Sequence, residues 1–515
     1  MTPSRPSSDG LYFFKFISAK GSVRLHLSSF AVIIYREQAF IRRTCMRKTK
    51  IICTLGPAST SYEQIRAMAL AGMNVARINM SHGTYEEHSV RIANVKKVRE
   101  DLNIALPIMI DLKGPEVRIG TFENGKIEVS EGMPFIFTSE ETIGNESKVS
   151  VTYKELYRDV KPGDTLLLND GLLVFSVSEI KDGDIYAVAM NAGTLSDRKG
   201  LFAPNVKLNI PFLSDADKKD LDYAISVNAE LIAASFVQDG NCMREIRSYL
   251  KKHGANDIAL IAKIESQLGI NNIDDIISAS EGIMVARGDL GVELPYEKLP
   301  ALQKLLIRKS GAQGRFAITA TEMLESMITK LRPTRAEIVD VANAVYDGSS
   351  CVMLSAESAV GINPPNVITT MAKIAVEAEN NIDYHKIHAT TDFTQLSDDT
   401  ISHATVNTAF EINAKAIVVF TASGASAAMI SRFRPNVPIV ALTMNRRVMN
   451  KLSVNWGVVP QLCEMFYSTD EMFTCAQKVV KELGIAEKGD NIVITAGVPL
   501  GKYVGTNLMK VEKIQ

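Results

Sequence analysis

Residues 258–265, IALIAKIE, and 282–289, GIMVARGD, decide the fold. In each, Ile, Leu, Val, Met and Ala follow one another without polar alternation, and the run ends in charged residues. A strand that is apolar on both sides is covered on both faces, as in parallel sheets. Runs of the same kind recur at 50–55, 74–79, 107–112, 229–236, 316–321 and 351–355. Helix signals lie between most of them. Ser61 with Gln64 offers a capping box ahead of Ile65, Met68 and Ala69, and Gly72 stands at the end; Thr334 with Glu337 repeats the box. Eight strands alternating with helices close most economically into a (β/α)8 TIM barrel, giving an α/β fold.

The rhythm breaks once. Residues 115–211 read as all-β, with turn signals at Asn124-Gly125, 162–164, 169–171 and 182–184. They are expected to form a β-barrel lid domain inserted after the third strand, above the mouth of the barrel. The catalytic barrel then comprises 46–114 and 212–385. Residues 386–515 form a C-terminal α/β domain, with strands expected at 416–421, 438–443, 491–495 and 508–514. The first 45 residues hold seven Lys/Arg against two Asp/Glu and show no period. A transit peptide has that balance, but Met46 opens a run that reads as a start. The expectation is an upstream mis-assigned start or a disordered extension.

Composition excludes several classes. Among 515 residues the net charge is −1, so no basic field points to nucleic acid or an anionic membrane. No apolar run approaches the roughly 20 residues that span a bilayer. The six cysteines have no metal or redox spacing and suit a reduced, cytoplasmic protein.

Chemistry gathers where the runs end. Strand ends of a barrel converge on one cavity, and these carry Arg77, Asn79, Ser81 and His82, then Asp111 and Lys113, Lys263 and Glu265, Arg287 to Asp289, and Thr319 and Thr321. Glu265 and Asp289 form a carboxylate pair suited to Mg²⁺, which takes one or two carboxylates plus substrate oxygens and water. Lys263 shares the side of its strand with Glu265, so a phosphate or enolate between cation and metal would relieve their repulsion. A purely structural Lys–Glu ion pair is the competing reading. Asn79, Ser81 and Asp111 make a weakly charged oxygen cluster suited to a monovalent cation, or else a helix cap. Gly288 and Gly291 either form a plain turn or open N–H groups to an anion. In the last domain Thr421, Ser423, Gly424 and Ser426 lie between strand and helix, as a phosphate cup or an ordinary turn. Trp456, the one tryptophan, reads as a packing residue.

Seven motifs together resemble the pyruvate kinase family: CTLGPAS (53–59), NVARINMSHGT (74–84), DLKGPEVRIG (111–120), KIESQLGINNIDDI (263–276), GIMVARGDLGVELP (282–295), TEMLESMITKLRPTRAE (321–337) and DVANAVYDGSSCVMLSAESA (340–359). The resemblance runs from about 47 to the C-terminus. It implies transfer of a phosphoryl group between phosphoenolpyruvate and ADP, giving pyruvate and ATP, with Mg²⁺ (or Mn²⁺) and K⁺. Lys263 would stabilise the transferring group and the enolate, Arg77 would contact phosphates, and Thr321 would stand near the enolate carbon. Substrate would meet Arg77, Lys263, Gly288, Asp289 and Thr321. Glu265 and Asp289 would hold Mg²⁺; Asn79, Ser81, Asp111 and the Leu112 carbonyl would hold K⁺. Arg118 and Lys199 look like nucleotide contacts on the lid. The loop of Thr421, Ser423, Gly424 and Ser426 resembles the family's sugar-phosphate effector site, and a homotetramer is implied.

The sequence departs from the family at several places. Glu322 stands where Gln is usual, which sets a carboxylate beside an anionic substrate. Ala356 and Ser358 replace Gly and Thr, and Ala422 replaces a Lys common in sugar-phosphate-activated members. Glu116 goes with K⁺-dependent members and Leu112 with independent ones; K⁺ dependence is expected. Two other readings stay open: a metal- and enolate-using aldolase-type barrel, and a non-catalytic metabolite sensor.

Overall fold

The computed structural model describes residues 47–386, 397–500 and 505–515; the expectation for residues 1–45 lies outside them. All eight expected runs are strands: β1 (Lys50–Thr54), β2 (Val75–Asn79), β3 (Ile108–Asp111), β4 (Leu231–Ala234), β5 (Ala259–Ile264), β6 (Gly282–Ala286), β7 (Phe316–Ala320) and β8 (Cys351–Leu354). Each pairs in parallel with the next, and β8 closes on β1 with Lys50 opposite Cys351. Ile52, Val75, Met109, Ile261, Met284, Ile318 and Met353 fill the inside of the barrel. Their neighbours Ile51, Ala76, Ile110, Ile283 and Val352 pack outward in the larger core that includes helix residues such as Ile65 and Met68. Both faces are dry, which is why the runs show no alternation.

Four helices matter below: α1 (Arg287–Glu293), α2 (Leu299–Ala312), α3 (Arg335–Tyr346) and α4 (Ala425–Arg432). At the start of α3 the expected box is complete, with Thr334 accepting from the Glu337 N–H and Glu337 reaching back to the Thr334 N–H. Ser61 accepts from the Gln64 N–H at 3.2 Å, so it caps its helix from one side.

Between β3 and β4 lies a six-stranded sheet with a two-stranded ribbon. It has its own core, in which Phe135, Phe137 and Phe175 meet with ring centroids 5.3 to 5.8 Å apart. The C-terminal sheet has five strands, in the order Val458–Leu462, Ile439–Thr443, Ala416–Phe420, Asn491–Ala496 and Leu508–Lys513. Val458–Leu462 was not among the expected strands. Its sequence, VVPQL, contains proline and is buried only at its start, as an edge strand tolerates. This domain docks on the floor of the barrel. Val454 joins the barrel's inner cluster, and Lys50 Nζ donates to the Val458 carbonyl at 2.7 Å. Trp456 is 1% exposed and packs at this seam.

Candidate active site

The C-terminal ends of β2, β3 and β5 bring Arg77, Asp111, Lys263 and Glu265 into one buried network. Arg77 Nε lies 2.6 Å from Asp111 Oδ2, and its Nη1 donates to Thr54 Oγ1 at 2.7 Å. Lys263 Nζ stands 2.8 Å from Glu265 Oε1 and 3.4 Å from Asp111 Oδ1, and it donates to Ser235 Oγ at 2.6 Å. Ser235 Oγ in turn donates to the Leu112 carbonyl at 2.8 Å. The Phe236 N–H donates to Glu265 Oε2 at 2.6 Å, with Phe236 held at φ 56°.

Burial works against every charge here, and the partners decide which group bears the cost. Burial would raise Asp111, but Arg77 and Lys263 outweigh it and hold the carboxyl below its usual range. Burial would lower Lys263, yet Asp111 and Glu265 outweigh it, so the ammonium is held more firmly than a free lysine. Glu265 moves the other way. Burial raises it, the charge of Asp289 adds to burial, and Lys263 only partly compensates. The two partners of one ion pair thus shift for different reasons: Lys263 faces more than one carboxylate, whereas Glu265 is buried and shares its cation.

Thr321 follows β7, and both it and Glu322 are left-handed, at φ 66° and 54°. For a β-branched residue this costs about 1–3 kcal/mol, and such backbone persists where its surroundings over-determine it. Arg287 supplies much of that constraint. Its Nη2 donates to the Thr321 carbonyl at 2.6 Å, Nε to the Ala320 carbonyl at 3.2 Å, and Nη1 meets Asp340 at 2.7 Å. Thr321 Oγ1 accepts the Gly288 N–H at 2.8 Å. That N–H, in the first turn of α1, is engaged within the protein. Glu322 is exposed.

Other expected site residues are placed less tightly. Asn79 sits opposite Asp111 in the sheet register, while its Oδ1 accepts from the Ser81 N–H at 3.1 Å. The Leu112 carbonyl is the Ser235 acceptor. On the lid, Arg118 pairs with Glu116 at 2.7 Å and Lys199 with Asp170 at 3.7 Å. Arg118 and Lys199 adjoin, since the Ile119 N–H donates to the Lys199 carbonyl. Thr421 Oγ1 caps the Gly424 N–H at 2.9 Å and Ser426 Oγ meets Thr506 Oγ1 at 2.8 Å. Thr421, Ser423, Ser426 and Thr506 line a cavity of about 340 Å³ with Met429, Met444 and Phe466, and its described lining holds no Lys or Arg. Thr54, Ser235 and Asp340 were missed. The first two close β1 and β4, and the rule applied to the other strand ends would have found them.

The donor set suits a hard divalent ion. Two cations, Arg77 and Lys263, act with three carboxylates, Asp111, Glu265 and Asp289, leaving negative charge in excess. Glu265 Oε1 is buried, with Lys263 Nζ 2.8 Å away as its ion-pair partner. Two carboxylates beside substrate oxygens are what Mg²⁺ uses.

A closed barrel with this charged mouth and an inserted β domain fits a phosphotransferase. The pyruvate kinase barrel-domain family matches residues 46–368, and the pyruvate kinase alpha/beta-domain family matches residues 399–512. The chain is 43% identical over 479 residues to a pyruvate kinase of Clostridium perfringens, covering 91% of this chain and 100% of that one. With a Bacillus licheniformis pyruvate kinase it is 46% identical over 470 residues, covering 90% of this chain and 80% of that protein. The crystal structure of a pyruvate kinase from Cryptosporidium parvum superposes with a TM-score of 0.88 at 36% identity, covering 92% and 97% of the two chains. The chain belongs to the pyruvate kinase family.

Proposed function

We propose that this enzyme transfers the phosphoryl group of phosphoenolpyruvate to ADP, yielding pyruvate and ATP, and that the strand-end residues carry the reaction. The observation that carries this reading is the buried cluster of Lys263 with Glu265, Asp111 and Arg77 at the C-terminal mouth of the barrel. An oxygen of ADP forms a bond to phosphorus as the bond from phosphorus to the C2 oxygen breaks. The electron pair left on that oxygen gives the enolate of pyruvate, which takes a proton at C3. The Lys263 ammonium and the Arg77 guanidinium face the developing negative charge and stabilise it, where preorganised cations act most strongly. Thr321, fixed by Arg287 and Gly288, stands beside the reacting carbon.

Glu265 and Asp289 would hold Mg²⁺ or Mn²⁺, which supplies further charge neutralisation on phosphate and enolate oxygens when bound. Asn79, Ser81, Asp111 and the Leu112 carbonyl would hold K⁺. Arg118 and Lys199 would contact nucleotide phosphates from the lid. The cavity at Thr421, Ser423, Gly424 and Ser426 would take a phosphorylated effector. We place the domain limits at 46–114 with 212–385, at 115–211 and at 386–515. Among the described residues no helix is long and apolar enough to cross a membrane; we propose a cytoplasmic enzyme, assembled as a homotetramer.

The test is an assay that detects pyruvate, run with and without ADP, and in K⁺ against Na⁺ buffer. Pyruvate release that requires ADP is expected, and the rate is expected to fall at least tenfold without K⁺. ADP-independent release would contradict the transfer, and equal rates in both salts would remove the K⁺ site alone.

A further inference from the structure

At the seam between the barrel floor and the C-terminal domain lies a cavity of about 560 Å³. It is far from the charged mouth, since its barrel wall is made where β7 and β8 begin, at Phe316, Ala317 and Ser350. Five cationic side chains line it, Lys304, Arg308 and Arg315 from α2 and the turn after it, and Arg432 and Arg434 from α4 and beyond. Asp347 is the single carboxylate among the described lining residues, and it is engaged by Lys304 and by Gln303 Nε2 at 2.9 Å. Among the described residues, neither Arg308 nor Arg315 has an acidic partner.

Arg434 makes the imbalance acute. Its Nη2 donates to the Gly348 carbonyl, and its guanidinium lies over the Trp456 ring at 4.9 Å from the centroid. Its Nη1 is buried without a hydrogen-bond acceptor. Burial pulls its pKa down to about 10, and Tyr384, Glu379 and Cys351 compensate only in part. A buried guanidinium short of acceptors is costly, and an anion in reach would relieve it.

We propose that this seam cavity is a binding site for a small phosphate monoester, separate from both the active site and the cavity at Thr421. Planar guanidinium groups match the tetrahedral, multiply charged phosphate through paired N–H donors. The cavity is large enough for a sugar or similarly sized group attached to the phosphate. Because the site draws on residues of two domains, the ligand would tie the C-terminal domain to the barrel floor and raise thermal stability by mass action.

Trp456, the one tryptophan of the chain, provides a local reporter against Arg434. Glucose 6-phosphate and inorganic phosphate would be titrated into the full chain at fixed ionic strength while tryptophan fluorescence is followed. A saturable change is expected with the monoester, with inorganic phosphate weaker. In an Arg308→Glu/Arg315→Glu variant the midpoint is expected to rise at least tenfold, while a Ser423→Ala variant keeps the parent midpoint. Both changes lie on partly or fully exposed side chains, and circular dichroism would check the fold. No saturable change in the parent would overturn the proposal. So would an unaltered midpoint in the double variant, or a shifted one in Ser423→Ala.

Discussion

Lys263 sits among carboxylates so that its charge is held through neutral pH, whereas the nearby acids differ in how well they are compensated. Glu293, at the end of α1, is the clearest uncompensated case outside the mouth. Burial pushes its carboxyl up to about 7, the Gln267 N–H at 3.2 Å pulls it back in part, and the charge of Glu265 adds to the rise. A folded-state pKa above the unfolded value gives stability that is full below about 4.5 and is lost as pH rises through about 7. At most that loss is about 3 kcal/mol. Glu293→Gln removes it. The melting temperature of the variant relative to the parent should therefore climb between pH 5 and pH 7.5; a gap that does not change with pH would contradict this account. Residue chemistry was legible where a charged side chain ended an apolar run, as at Lys263 and Glu265. It was not legible for Phe236, whose contribution is a backbone N–H in a left-handed conformation.

Among elements, the turn after β7 depends on α1 and α3 together. Arg287 crosses from the first to the second through Asp340 and binds two carbonyls of the turn on the way. Lysine keeps the charge but cannot place several N–H donors in one plane. Charge-assisted hydrogen bonds contribute about 1.5–3 kcal/mol each. Arg287→Lys should lower kcat by about 10- to 100-fold if one such bond is lost from the transition state. The Michaelis constant for phosphoenolpyruvate should change by less than kcat, because Arg287 positions Thr321 and does not bind substrate itself. An unchanged kcat would remove Arg287 from this role. The eight barrel strands were legible because a strand buried on both faces is apolar throughout. Val458–Leu462 was hidden because an edge strand needs neither feature and carries Pro460.

For the molecule as a whole, α3 leaves Ile338, Val339 and Tyr346 40%, 57% and 51% exposed, and Val360 and Ile362 are 54% and 60% exposed. Apolar side chains grouped on one helix and the segment after the next strand fit the proposed association surface. If the proposed homotetramer uses this face, Val339→Glu should give smaller species than the parent in sedimentation velocity, with the circular dichroism spectrum retained. A tetramer of unaltered stability would place the interface elsewhere. The homotetramer is expected from the family resemblance alone. The seam cavity was not legible at all, because Lys304, Arg315 and Arg434 lie far apart in sequence and meet only once the C-terminal domain docks on the barrel floor.

The central claim is that phosphorus moves from phosphoenolpyruvate to ADP in the field of Lys263. The most direct measurement is phosphorus NMR of a reaction holding phosphoenolpyruvate, ADP, Mg²⁺ and K⁺, run beside a Lys263→Met variant whose fold is checked by circular dichroism. The account predicts that the phosphoenolpyruvate resonance is replaced by the γ-phosphate of ATP, and that the variant is slower by about 10³-fold or more, in line with loss of a main electrostatic contributor. Transfer by the variant at a rate close to the parent's, or release of inorganic phosphate in place of ATP, would contradict it.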